Sequence, residues 1–462
     1  MINEFVSLVN NILWGDGQVL IIMLLACGIW FTVKLGGVQL RHFGHMFSLL
    51  KGSNTSTKDG ISSFQALCTS LSARVGTGNL AGVAVAISLG GAGAIFWMWM
   101  IALLGMATGF AESVLGQLYK VRDENGEFRG GPAYYIKQGL NKTWLAVAFS
   151  LCLFFGYGFV FSAVQANTIT DALNNAYSFP TEYVGLAIIA LAALIVVGGL
   201  KSIARFAEFV VPFMGIGYVL VALAITFINI SELPAMLLDI VKSAFGLQEA
   251  GAGALGAAIK NGIQRGLYSN EAGSGSVPHA AASAVPNPNH PVSQGYIQML
   301  GVFLDTLVLC TSTAFIILLA GGSSSDQMEG IRLTQDAMSS HLGEGGTDFV
   351  AAAISLFAFT SVVANYAYGE SNLHMFKLDN KIGRAVYTIG YLGMIYWGAQ
   401  AALPQVWAMA DMALGLMTVI NIIAIVWMTP TIVSISKDYF KKKDSGANME
   451  YKAGDCEIQG KS

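Results

Sequence analysis

Long apolar runs, punctuated by short polar stretches, follow one another along this chain too often for a soluble core. Residues 75–111, 143–170, 385–410 and 412–436 carry no charge at all. A helix that crosses a bilayer needs roughly 20 mostly apolar residues. The pattern therefore predicts an all-α polytopic membrane protein with eleven transmembrane helices, at about 18–35, 62–89, 92–117, 143–173, 183–200, 204–229, 251–284, 295–320, 347–373, 382–403 and 410–435. Connections are short except for a basic stretch at 36–61 and polar stretches at 118–142 and 321–346. No low-complexity linker divides the chain, which predicts a single transmembrane domain over 1–440 and a polar cytoplasmic tail over 441–462.

Spans 2 and 7 depart from the pattern. The first contains Ser72-Ala73-Arg74-Val75-Gly76-Thr77-Gly78-Asn79 and the second Asn270-Glu271-Ala272-Gly273-Ser274-Gly275-Ser276-Val277-Pro278. Glycine inside a helix costs about 1 kcal/mol against alanine, so a Gly-x-Gly with polar neighbours permits unwinding. Unwound backbone at membrane depth is tolerated only where it is buried in protein or lines a cavity. Simple packing notches are the alternative, but they leave the neighbouring polar groups and the recurrence unexplained. Spans 2–6 (about 62–229) and spans 7–11 (about 251–435) each hold five helices, and an odd number inverts the second set relative to the first. That is the pattern of inverted repeats meeting at discontinuous helices, with span 1 left over.

The exposed groups suggest a ligand. Free amides of Thr77 and Gly78 at the start of a half-helix suit a carboxylate. Freed carbonyls and hydroxyls suit Na+ or an ammonium group. Together they describe a zwitterionic amino acid with a coupling ion.

Composition narrows the class. The chain is 54% hydrophobic and 11% charged, against about 25% charged in ordinary soluble domains. This excludes a soluble enzyme, a nucleic-acid binder and a disordered scaffold. With the C-terminus in the cytoplasm, the loops and the C-terminal segment place 20 Lys and Arg inside, and only Lys242 and Arg332 lie outside, a split that fits eleven spans with the N-terminus out. Cys27, Cys68, Cys152 and Cys310 lie in apolar runs and Cys456 in the tail, all without metal spacing. Residues 1–17 lack the basic start of a cleavable signal.

Charges within spans ask for a function. Arg74 precedes the first break, Glu271 the second, and Glu112 sits in span 3; Arg74 with Glu112 or Glu271 is expected as a buried pair, either a gate or a static support. Arg265 and Asp305 read as interfacial, and Asp171, Glu370 and Asp411 as solvated caps. Trp97, Trp99, Trp144, Tyr183, Trp397 and Trp407 read as membrane-interface anchors, and the six histidines as loop or interface residues.

The stretch from Gly90-Gly91-Ala92-Gly93-Ala94-Ile95-Phe96-Trp97-Met98-Trp99 to Gly105 resembles the signature of the alanine or glycine:cation (sodium:alanine) symporter family. Asn270-Glu271-Ala272-Gly273-Ser274-Gly275-Ser276 and Arg129-Gly130-Gly131-Pro132-Ala133 resemble it too, and the likeness runs from about Trp14 to Tyr439. The resemblance implies Na+-coupled symport of small neutral amino acids by alternating access on a leucine-transporter-like fold. Alanine and glycine are the implied substrates, with D-alanine and serine as further candidates; Na+ is the coupling ion, and no organic cofactor is implied. Carried onto this sequence, Thr77, Gly78 and Asn79 would line the substrate site, facing Gly273, Ser274, Gly275 and Ser276. Gln165 is the candidate third wall, or else makes an ordinary interhelical hydrogen bond. For Na+ the resemblance implies the carbonyls of Ser72 and Val75 with the hydroxyls of Thr360 and Ser361, although adjacent hydroxyls in a helix often bond back to the preceding turn. Phe154, Phe155, Phe159, Phe161, Phe357 and Phe359 are expected to close the pocket.

An intramembrane enzyme would need a nucleophile–base set or metal ligands at one depth, and none is seen. Nor is a channel filter. The alternative within carriers is proton coupling through Glu112 or Glu271.

Overall fold

Helices make up nearly every element, as backbone inside a bilayer requires. In the computed structural model the described residues are 2–15, 17–51, 53, 60–123, 126–247, 252–321 and 330–452. Cys456 lies outside them, as do Lys58 and Lys461, two of the 20 Lys and Arg counted above as cytoplasmic. Six helices among the described residues are long and apolar enough to cross a membrane: Gly93–Leu118, Thr143–Tyr177, Gly199–Ile228, Pro291–Leu319, Gly345–Met375 and Leu403–Trp427. A pair bent by 40°, Asn3–Trp14 with Val19–Lys34, adds a seventh if counted as one span. Thr181–Val196 and Gly78–Gly90 are shorter apolar helices.

Helix Gly199–Ile228 shows which medium surrounds the molecule. Phe209, Phe213, Ile216, Leu220 and Phe227 are all strongly exposed on it, a face tolerable only against lipid. The protein is thus a multi-pass membrane protein. In contrast, residues 261–284 are buried without exception, so the second interrupted segment runs through the core.

The polar connections are more ordered than their composition suggests. Val121–Arg122 and Phe128–Arg129 form a small antiparallel hairpin followed by helix Pro132–Gly139. Ile331–Leu342 is helical. The last span starts and ends earlier than expected, at Leu403 and Trp427, because a separate helix, Thr429–Ser445, follows it. That helix buries Tyr439 against His45 and Tyr296, and the Tyr451 amide donates to the Asn289 carbonyl (3.0 Å).

Three helices contain wide π turns, at Gly78–Gly82, Gly156–Val160 and Phe303–Cys310. Such turns are found frequently at functional sites.

Candidate functional site

Helix Ser63–Arg74 begins on a capping box between Ser62 and Gln65 and stops when Val75 turns extended (φ −75°, ψ 90°). The chain becomes helical again at Gly78. Groups released at this break find partners on other elements. The Thr77 amide and hydroxyl both donate to Gln165 Oε1, at 2.9 and 2.7 Å. The Gly76 amide donates to Asn79 Oδ1 (3.0 Å), while Asn79 Nδ2 donates to Asp305 Oδ1 (2.8 Å) and Ser269 Oγ (3.1 Å). Asn79 therefore ties the break to the second interrupted segment and to helix Pro291–Leu319. Asp305 is fully buried there and not interfacial.

The second break is sharper. Helix Ala252–Asn270 ends, and Glu271, Gly273 and Gly275 take φ values of 57°, 91° and 86°. A left-handed Glu costs about 1–2 kcal/mol, so the surroundings must hold it. Glu112 does much of this: its carboxylate accepts from the Gly273 amide (2.9 Å), the Gly275 amide (3.1 Å) and Asn421 Nδ2 (2.7 Å). The Tyr135 hydroxyl in turn donates to Asn421 Oδ1. Ser276 donates to the Glu271 carboxylate (2.6 Å) and Ser274 to the Glu271 carbonyl (2.7 Å). Pro278 then restarts the helix in its first turn.

The four residues expected around Na+ come together. Ser72 Oγ donates to the Thr360 carbonyl (2.8 Å), and Ser361 Oγ lies 3.3 Å from the Val75 carbonyl. Thr360 and Ser361 also bond back to the Phe357 carbonyl, at 2.8 and 3.2 Å. Of the four expected ligand atoms, the Val75 carbonyl and the Ser361 hydroxyl meet across helices; Ser72 meets Thr360 through its hydroxyl and the Thr360 carbonyl instead, and the Thr360 hydroxyl bonds back within its own helix.

Between the breaks lies a closed cavity of about 10 Å³, room for roughly one water. Arg74, Tyr157, Gln165, Tyr268, Glu271 and Asn365 contribute to its wall. Gln165 is the one expected substrate residue on that wall; Thr77 reaches it through Gln165, and Gly78, Asn79 and Gly273–Ser276 do not line it. Of the six phenylalanines only Phe161 lines it. Phe154 and Phe159 pack on Tyr387, Phe357 on Tyr218, Phe359 on Phe206, and Phe155 is exposed.

The expected pairing of Arg74 with a glutamate does not form. Its guanidinium donates to Gln298 Oε1 (3.2 Å) instead, because Gln298 is closer across helix Pro291–Leu319. Arg265 and Asp411 are neither interfacial nor a solvated cap: they are buried and paired at 2.5 Å, with Trp407 packed over the guanidinium instead of anchoring at the membrane interface. Glu370 is buried 3.5 Å from Arg384, whereas Asp171 meets Arg332 at the surface. His279 lies in a buried helix, not in a loop, whereas His290 does sit in the loop before helix Pro291–Leu319 but is fully buried there. Sequence reasoning missed Tyr157, Tyr268 and Asn365; the amide of Asn365 inside an apolar run was the one available signal.

Interrupted helices that close a buried polar cavity inside a multi-pass bundle define a carrier. The chain belongs to the sodium:alanine symporter family, whose profile matches residues 1–453. It is 46% identical to the probable sodium/glutamine symporter GlnT of Bacillus subtilis (strain 168), over 96% of this chain and 92% of that protein. It is 43% identical to the amino-acid carrier protein AlsT of the same organism (98% and 95%) and 37% identical to the sodium/alanine symporter AgcS of Methanococcus maripaludis (94% and 97%). The family and these relatives are amino-acid transporters, two of the three named for sodium, and not enzymes.

Proposed function

We propose that this protein is a Na+-coupled symporter that takes up small neutral amino acids, alanine and glycine first, by alternating access. One observation carries the reading: Arg74, Tyr268 and Asn365 line the central cavity, and Arg74 Nε, the Tyr268 hydroxyl and Asn365 Oδ1 are buried with no hydrogen-bond partner among the described residues. Two donors suit a carboxylate and one acceptor an ammonium group. Buried polar atoms without partners are uncommon enough to need a reason, and a zwitterion admitted when the one-water cavity widens during alternating access supplies one. We further read eleven spans in a five-plus-five inverted repeat, N-terminus outside and C-terminus cytoplasmic, from the Lys and Arg distribution and the two breaks.

Replacing Na+ by choline in a proteoliposome assay tests the coupling. Uptake is expected to stop; full uptake on a pH gradient alone would instead support a second reading, proton coupling through Glu271. That reading has its own observation, since Glu271 lies on the cavity wall. Glu112 is a poorer proton carrier because its three partners are all donors.

Thr360→Ala with Ser361→Ala is expected to lower the apparent Na+ affinity about tenfold while the alanine specificity is kept. Removing both hydroxyls takes away oxygen ligands that water cannot replace at that depth. An unchanged Na+ dependence would leave these residues as back-bonded helix members.

Selectivity should follow side-chain volume. Tyr157, Phe161, Tyr268 and Leu414 wall the cavity, and forcing a large side chain among packed rings costs typically 1–3 kcal/mol, or roughly ten- to hundredfold in affinity. Alanine and glycine are expected to compete with labelled alanine, and leucine far less. The relative named for glutamine makes glutamine the informative third competitor; leucine competing as well as glycine would defeat the size argument.

A further inference from the structure

Beside the central cavity lies a much larger one, of about 930 Å³, which the reading above does not use. It is an open cleft lined by helix Ile2–Trp14, the start of Leu403–Trp427, one face of Ala252–Asn270, and Val85 and Leu89. Arg265, Trp407 and Asp411 lie in its wall and are only 5%, 7% and 7% exposed.

Their pairing is incomplete. Arg265 Nη2 bonds Asp411 Oδ2 at 2.5 Å, and the guanidinium carbon lies 4.5 Å from the Trp407 ring centre. Among the described residues, Arg265 Nε and Nη1, Trp407 Nε1 and Asp411 Oδ1 are buried without a hydrogen bond of good geometry, with Gln264 beside the carboxyl as a side-chain donor. Buried donors and acceptors in that state reduce stability unless something bonds them. Here they are sorted by chemistry: three donors, two of them on a guanidinium that suits a carboxylate, and one anionic acceptor. Lys260 adds positive charge to the same wall. A zwitterionic amino acid satisfies both groups and leaves the Arg265–Asp411 contact intact.

Position links this wall to transport. Tyr268, one helical turn from Arg265, lines the central cavity, and its ring packs on Trp407 with centres 4.8 Å apart. On the other helix Leu414 lines the central cavity one turn from Asp411. The two cavities are thus separated by little more than Tyr268 and Trp407.

We propose that Arg265, Trp407 and Asp411 form a second amino-acid site, in the large cavity, where the substrate docks before it passes Tyr268. The proposal rests on the reading of alanine as substrate. On the orientation given above, this cavity opens outside.

Equilibrium binding of labelled L-alanine to the full chain in lipid nanodiscs with Na+, together with uptake kinetics, tests it. The wild type is expected to bind a second, weaker alanine per chain. Trp407→Phe keeps a ring against Arg265 but removes the indole N–H; it is expected to abolish the weaker component and raise KM about tenfold with little change in Vmax. Arg265→Lys keeps the charge and loses the planar fork, with the same expected split. Gln165→Ala, at the central cavity, should instead remove the tighter component. A single alanine per chain, with KM unmoved in both Trp407→Phe and Arg265→Lys, overturns the second site and leaves the proposed function standing. No alanine bound by the wild type overturns both.

Discussion

Glu112→Gln is expected to abolish uptake and to lower thermal stability at the same time. The carboxylate accepts from two backbone amides of the second break and from Asn421. Glutamine keeps one oxygen for Gly273 but turns an NH2 toward Gly275 and Asn421, donor against donor. Hydrogen bonds to a charged group contribute about 1.5–3 kcal/mol each, and a stranded buried donor adds its own desolvation cost. We expect a loss of about 3 kcal/mol or more, with the backbone at Gly273–Gly275 free to leave its left-handed conformation. Proteoliposome uptake and a thermal unfolding midpoint in the same detergent check this. Wild-type values in both would show that Glu112 does not hold the break.

Gly76→Ala should have a comparable effect on transport for a different reason. A Cβ at position 76 would stand 2.4 Å from Ser361 Oγ and 2.6 Å from Gln165 Oε1. The first belongs to the candidate Na+ cluster and the second to the cavity wall, so one methyl group displaces both. Overpacking of this kind costs typically 1–3 kcal/mol. We expect alanine and Na+ affinities to fall together, each by roughly ten- to hundredfold. Parallel titrations of alanine and Na+ in uptake assays measure this, and a change in one without the other would separate the two sites.

Both interruptions were legible in the sequence because glycine density and polar neighbours act locally. The membrane class was legible for the same reason: an apolar run is a property of consecutive residues. What decides the cavity wall is not local. Whether Arg74 meets a glutamate or Gln298, and whether Asp411 meets water or Arg265, depends on which helix faces arrive together from 146 to 224 residues away. The phenylalanines illustrate the limit. Level along a helix follows from residue number, but direction around it needs a regular turn, and Gly156–Val160 is a π turn. Upstream of it the face that continues Gln165 and Phe161 carries Tyr157, while Phe154 and Phe155 are swung away.

The three π turns have a consequence for how the chain tolerates length changes. Each holds one residue more than an α-helical turn would use, beside Thr77, at Tyr157 and at Asp305 respectively. One α-helical residue corresponds to about 100° of rotation. Deleting a single residue within Gly156–Val160 would therefore let the helix close up as ordinary α-helix without breaking it, yet turn Tyr157 away from Gln165 by a large part of that angle. Substitutions there change a side chain, whereas deletions change which side chains meet. Among relatives, gaps at these three places would mark altered sites more reliably than point differences nearby.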